Sequence, residues 1–247
     1  MKTTGNTILI TGGGSGIGYE TAKSLAQLGN KIIITGRNES KLNTAAATLP
    51  NTTAIAGDIN DEQSVDLLVK RIYSEFPDLN MLMNNAGMAY SYSIFDDEAP
   101  ARAIEEMTTN YFSVVRLTTR LLPLLRRQKD AAIINVSSIV AFAPGLRLPT
   151  YSASKAALHS YTQTLRLALR DTPSIGVFEV MPPLVDTEFA RELKGDKISP
   201  AEVATTIVEG LHNNLKEIHV ASTAGLYKVF LEEPAKAIRV LNGIAAA

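Results

Sequence analysis

Residues 7–18 read Thr7-Ile8-Leu9-Ile10-Thr11-Gly12-Gly13-Gly14-Ser15-Gly16-Ile17-Gly18, and an amphipathic stretch follows over about 17–28. A short apolar run that passes through a glycine cluster into a helical period reads as a strand feeding a helix through a tight turn. Glycines at such a junction let a pyrophosphate approach backbone N–H groups at the helix N-terminus, where the dipole favours negative charge. Placed at the first β-to-α junction of the chain, the turn predicts a dinucleotide-binding fold.

The pattern continues outward from it. Strand-like runs are expected at 7–11, 31–35, 52–56, 80–84, 131–137, 176–181 and 218–221, and helices near 17–28, 38–48, 61–75, 101–127, 150–170 and 200–213. Ile32-Ile33-Ile34 and Ile133-Ile134 are apolar at consecutive positions, so both faces of those strands must be covered. Strict alternation implies right-handed crossovers and an α/β, doubly wound Rossmann fold: one domain over 1–247, with a seven-stranded parallel sheet and helices on both faces. Residues 186–199, with Gly195 and Pro200 as hinge positions, read as a substrate-side lid, and about 223–247 as a C-terminal tail.

Composition excludes several classes. The 247 residues carry 24 Lys+Arg against 25 Asp+Glu, a net charge of −1, which argues against a nucleic-acid surface. With no cysteine there is no disulfide, thiolate nucleophile or Cys-ligated metal. His159, His212 and His219 fall in three different elements without metal-ligand spacing, so no metal is expected. No stretch approaches the length of an apolar membrane span, and a cytoplasmic protein with no membrane partner is expected.

The end of the second strand reports which dinucleotide would bind. Thr35-Gly36-Arg37 has no acid to hold ribose hydroxyls, whereas a guanidinium suits a 2′-phosphate; NADP(H) is favoured over NAD(H). Further on, Tyr151-Ser152-Ala153-Ser154-Lys155 opens a helix, and the i, i+4 spacing stacks phenol and ammonium on one face. An ammonium beside a phenol favours the phenolate and would bring the tyrosine toward working pH as an acid/base. Ser138, 13 residues upstream, ends a strand where α/β sheets build their sites, and Asn84-Asn85-Ala86-Gly87 ends another.

With these motifs the chain resembles the compact short-chain dehydrogenase/reductase family over about residues 5–222. The matching residues are Thr-Gly-x-x-x-Gly-x-Gly at 11–18, Asp58, Asn-Asn-Ala-Gly at 84–87, Asn110, Ser138 and Tyr-x-x-x-Lys at 151–155. Lys155-Ala-Ala-Leu-His-Ser and Pro182-Pro183-Leu-Val-Asp-Thr187 are similar to its DltE-like branch. The resemblance implies that Tyr151 is the proton donor in ketone reduction and the base in alcohol oxidation. It implies that Lys155 lowers the Tyr151 pKa and holds the nicotinamide ribose, that Ser138 binds the substrate carbonyl, and that the Asn110 backbone carbonyl anchors a water in a proton relay. Gly12, Gly14, Ser15, Gly16, Ile17 and Gly18 would cradle the pyrophosphate, Asp58 and Ile59 the adenine, and Asn85, Ala86 and Gly87 the adenosine groove. Pro182, Val185 and Thr187 would hold the nicotinamide. Two departures stand out: Pro183 replaces the family's usual glycine, and Ser15 stands where a charged cofactor discriminator is common.

Met88, Tyr90, Ile139, Val140, Leu146, Leu184 and Phe189 are expected to wall the substrate pocket, an apolar lining suited to a small neutral ketone or secondary alcohol. Leu121, Leu122, Leu124 and Leu125 exceed one sheet-facing stripe, and the resemblance points to this helix and the next as a homodimer or homotetramer surface. The expected activity is an NADPH-dependent carbonyl reductase; the alternatives are a catalytically silent dinucleotide-binding regulator and a dehydratase or epimerase on the same scaffold.

Overall fold

In this computed structural model, residues 1–172, 174–191, 193 and 195–245 are described, with only the backbone at Phe189. Seven strands form one parallel sheet: β1 (Thr7–Thr11), β2 (Lys31–Gly36), β3 (Thr52–Ala56), β4 (Met81–Asn84), β5 (Ala131–Val136), β6 (Ile175–Met181) and β7 (Glu217–His219). Their order, β3-β2-β1-β4-β5-β6-β7, reverses direction at β1, and every pairing is parallel. This is the doubly wound order whose binding crevice lies at the carboxyl edge near the reversal.

The helices are α1 (Gly16–Gln27), α2 (Glu39–Ala47), α3 (Glu62–Glu75), α4 (Ala99–Met107), α5 (Ser113–Leu125), α6 (Pro149–Ala168), α7 (Pro200–His212), α8 (Ser222–Glu232) and α9 (Pro234–Leu241). Local chemistry sets several starts: Asn38, Asp61 and Ser199 accept from the N–H groups of Lys41, Ser64 and Glu202, and Pro200 stands in the first turn of α7. Ile8, Ile10, Ile32 and Ile34 point to the side of α1, α2 and α7, where Leu25, Leu42 and Ile207 meet them. Leu9, Ile33 and Ile133 point to the other side, against Leu68 of α3, Leu121 of α5 and Leu165 of α6. The consecutive isoleucines thus fill two separate layers, as their pattern required.

Three expectations need correction. The helix expected over 101–127 is two helices joined by a π-helical turn, Thr108–Phe112. Such a turn adds a residue and re-aims its side chains, here turning Asn110 into the interior. The leucines offered as an association stripe are core: Leu121, Leu124 and Leu125 are buried against α3 and the sheet, with Leu122 packed beside them. The tail expected over 223–247 is α8 and α9, whose Leu226, Tyr227, Phe230 and Ala237 pack on Phe142 and Met181. No side-chain cap opens α8, and Ala221 before it has φ +47°, so the usual start signal is missing from the sequence.

The segment expected as a lid is pinned at its neck, where Val185 bridges Ile198 and Asp186 N–H donates to the Ile198 carbonyl at 2.8 Å. Its Glu192, Lys194 and the Phe189 side chain lie outside the described residues. No helix among the described residues is long and apolar enough to cross a membrane.

Candidate active site

The glycine turn closes onto its neighbours through the backbone. Gly12 has φ +67° and donates to the Thr35 carbonyl at 2.8 Å, while the Thr11 hydroxyl accepts from the N–H groups of Asn85 and Ala86 at 3.0 Å each. A Cβ on Gly18 would lie 2.4 Å from the Gly12 carbonyl oxygen, so glycine there permits the helix-to-strand approach. Ser15, at the N-cap of α1, makes no side-chain cap bond, and the first turn holds no acid. The N-terminus of α1 therefore faces the crevice with its anion-binding capacity unspent.

A cleft of about 840 Å³ runs along the carboxyl edge of the sheet. One end is lined by Gly12, Gly14, Ser15, Gly16, Ile17, Arg37, Asp58, Ile59, Asn85, Ala86 and Gly87. Its middle holds Ser138, Tyr151, Lys155, Pro182, Val185 and Thr187, and its far end Met88, Ile139, Val140, Leu146 and Leu184. Asp58 is there in its own right, since Asp61 caps α3. Arg37 just after β2 and Lys41 in the first turn of α2 both line the cleft; Lys41 also pairs with Glu188 at 2.8 Å.

At the middle, Lys155 is buried and its Nζ donates to the Val136 carbonyl at 2.9 Å. It lies 5.6 Å from the centre of the Tyr151 ring. Burial pushes the Tyr151 phenol well above its ordinary value; a hydrogen bond with Ser138 pulls it back, and the charge of Glu106 pushes it further up. Burial pushes the Lys155 ammonium down to about 8, opposed by the negative charge of Glu179. Desolvation of both groups at one sheet edge thus outweighs the ammonium-to-phenol effect expected from their spacing.

Three expected residues are absent from the cleft wall. Gly18 is a packing position within α1. Tyr90 turns outward, its hydroxyl donating to Glu105 and its ring under Arg102 at 5.6 Å. Asn110 is fully buried behind the wall: its Oδ1 accepts from Met88 N–H, and its Nδ2 donates to the Met88 carbonyl and the Ser154 hydroxyl, each at 2.9 Å. It braces the strand-end loop against α6. Phe189, also expected here, has no described side chain.

The sequence did not point to Glu106. Fully buried on α4, it accepts from Tyr90 N–H at 2.7 Å and from the Thr150 hydroxyl, tying the loop after β4 to the start of α6. Glu105 and Glu106 are adjacent acids in one amphipathic helix, and only the fold shows which turns inward. Ser222, Leu241 and Asn242 of the C-terminal helices also reach the cleft.

Comparison with known proteins agrees with this geometry. Residues 6–198 match the short chain dehydrogenase family. The chain is 39% identical over 234 residues to the uncharacterized oxidoreductase DltE of Bacillus subtilis (strain 168), covering 92% of each. It is 33% identical over 200 residues to an NADP-dependent 3-hydroxy acid dehydrogenase of Schizosaccharomyces pombe, covering 78% of this chain and 77% of that one. A solved short-chain dehydrogenase from Burkholderia cenocepacia J2315, in complex with NADP, superposes with a TM-score of 0.86 at 26% identity, over 97% of this chain and 98% of that one. The family match and the relatives make this chain an oxidoreductase that works with a nicotinamide dinucleotide, and the sheet, glycine turn and cleft fit that class. The chain belongs to the short-chain dehydrogenase family and to its DltE-like branch.

Proposed function

We propose that the protein is an NADPH-dependent carbonyl reductase of small neutral ketones, and a secondary-alcohol dehydrogenase in reverse. The observation that carries this reading is the edge where Ser138, Tyr151 and Lys155 meet in one cleft. The cleft residues fit a dinucleotide: the uncapped α1 N-terminus suits the pyrophosphate, and Asp58 with Ile59 suits the adenine. The bound dinucleotide supplies the hydride. Ser138 directs its hydroxyl at the substrate carbonyl oxygen, where charge grows in the transition state. Tyr151, held protonated by burial, donates the proton to that oxygen. The Lys155 ammonium balances the phenolate left behind. Asn110 holds Met88 and Ser154 and so fixes the wall on which these groups sit.

The preference for the 2′-phosphate rests on Arg37, which directly follows β2 on the cleft wall with no acid at the strand end, and on Lys41 of α2 beside it on the same wall. The similarity to a relative named as NADP-dependent and to a structure holding NADP supports it. Arg37→Asp is expected to raise the KM for NADPH about tenfold or more and to leave that for NADH nearly unchanged. Initial rates with both dinucleotides check it; parallel changes would remove the phosphate role.

The function itself is tested by loss of reduced-nicotinamide absorbance with an activated aryl ketone. Turnover with NADPH is expected. Tight dinucleotide binding without turnover on a panel of ketones and alcohols would instead make the protein a silent dinucleotide binder.

Self-association belongs to the same reading. Ile104 of α4 and Phe112 of the π turn stand exposed on the α4–α5 side, and we propose a two-fold homodimer or homotetramer through that side and α6. A monomer mass in light scattering would overturn it.

A further inference from the structure

Behind the Tyr151–Lys155 edge, the sheet carries a polar row in register. Asn84 of β4 lies beside Asn135 of β5, Asn135 beside Glu179 of β6, and Glu179 beside Glu217 of β7. Each finds a partner on the helices above. Thr118 meets Asn84 at 3.2 Å, Thr162 meets Asn135 at 2.9 Å, and Arg166 meets Glu217 at 3.4 Å. The His159 ring approaches both oxygens of Glu179, at 3.0 and 2.9 Å.

At β4 and β5 the row is neutral, amide to hydroxyl. At β6 it becomes ionic, although Glu179 is fully buried, where an amide would satisfy hydrogen bonding at lower desolvation cost. His159 follows Lys155 by one helical turn and Tyr151 by two, so phenol, ammonium and imidazole form one line along α6, and Glu179 closes it from below.

We infer that Glu179, held by His159, is a positioning residue for the reaction, and that its buried negative charge keeps the Lys155 ammonium charged at the pH where the site works. Burial drives Lys155 toward the neutral amine, and among its surroundings the Glu179 carboxylate opposes this. In return Glu179 holds the His159 imidazolium to higher pH. The other charged and titratable groups of the cluster have engagements of their own. Arg166 of α6 binds Glu217 and the Lys216 carbonyl, and the Lys216 ammonium lies over the Phe178 ring. His219 of β7 packs on the Tyr227 ring of α8 at 4.4 Å, and burial holds it toward the neutral form. The inference rests on the reading that Lys155 takes part in the reaction.

The test is the pH profile of ketone reduction with NADPH. With Tyr151 pushed far up, Lys155 is the first of the pair to lose its proton as pH rises, so it sets the alkaline fall in rate. Glu179→Gln is expected to move that fall to lower pH by about half a unit or more, keeping the plateau at lower pH within about fivefold of wild type. His159→Leu removes the imidazolium that offsets the carboxylate while filling the space, and is expected to move the fall the opposite way, to higher pH. A merely structural role would lower the rate equally at all pH. Folded variants with an unmoved fall would overturn the inference, and so would failure of both variants to fold. Lys155→Met with full turnover would sink the underlying reading instead, whatever the Glu179 and His159 variants do.

Discussion

Tyr151→Phe is expected to lower kcat for ketone reduction by about three orders of magnitude and to leave NADPH affinity within a few-fold of wild type. The ring sits buried beside Ile139, Val140 and Met181, and phenylalanine keeps that packing. Only the hydroxyl is lost, with its hydrogen bond to Ser138 and its proton. The hydride can still be delivered, but the oxygen that receives charge has no acid beside it. Single-turnover rates with a fluorescence titration of NADPH separate the two quantities. A variant that keeps a tenth of the wild-type kcat would remove Tyr151 as the proton donor.

Lys155→Met is expected to lose turnover by about two to four orders of magnitude and yet to melt no lower than the wild type at pH 7. The ammonium is buried and its pKa falls from 10.5 to about 8 on folding. Below about pH 8 the group is charged in both folded and unfolded states, so the full cost of burying the charge is present. As pH rises from about 8 to 10.5 the folded protein sheds the proton first and that cost disappears. Methionine carries no such cost, so its advantage is greatest at neutral pH and fades toward pH 10.5. Loss of the bond to the Val136 carbonyl offsets part of it. Melting curves across this range check the sign. A midpoint lower by about 5 °C or more at pH 7 would show that the carbonyl bond outweighs the buried charge.

The fold was legible where covalent geometry and burial act locally. Consecutive isoleucines in β2 and β5 can only be strands covered on both sides, and the glycines of residues 12–18 can only turn where they do. The cleft was legible for the same reason, because strand ends and a glycine turn bring Ser138, Asn85 and Gly12 to one edge. What escaped depends on packing between distant segments. Tyr90 looked like a wall residue until Arg102 and Glu105 of α4 drew it outward. Glu106 and Glu179 carry no local sign of their burial, and half-buried His159 none of its pairing, since each finds its partner only from another element. Helix α8 lacks a start signal, and α8 and α9 are held by Phe142 and Met181 from far along the chain.

Asn242, at the end of α9, accepts from Leu146 N–H at 2.6 Å and donates to the Pro144 carbonyl at 2.9 Å. It lies beyond residues 6–198, the span shared with the family, yet it fixes a loop on the substrate wall. The reacting groups and part of the support of the far wall are thus written in separate stretches of the chain. Drift in the last two helices can re-cut the pocket while Ser138, Tyr151 and Lys155 stay in place, so new substrates can be sampled over evolutionary time without rebuilding the chemistry. In the laboratory the same division makes α9 a place to exchange, between relatives, the selectivity of one chemical step.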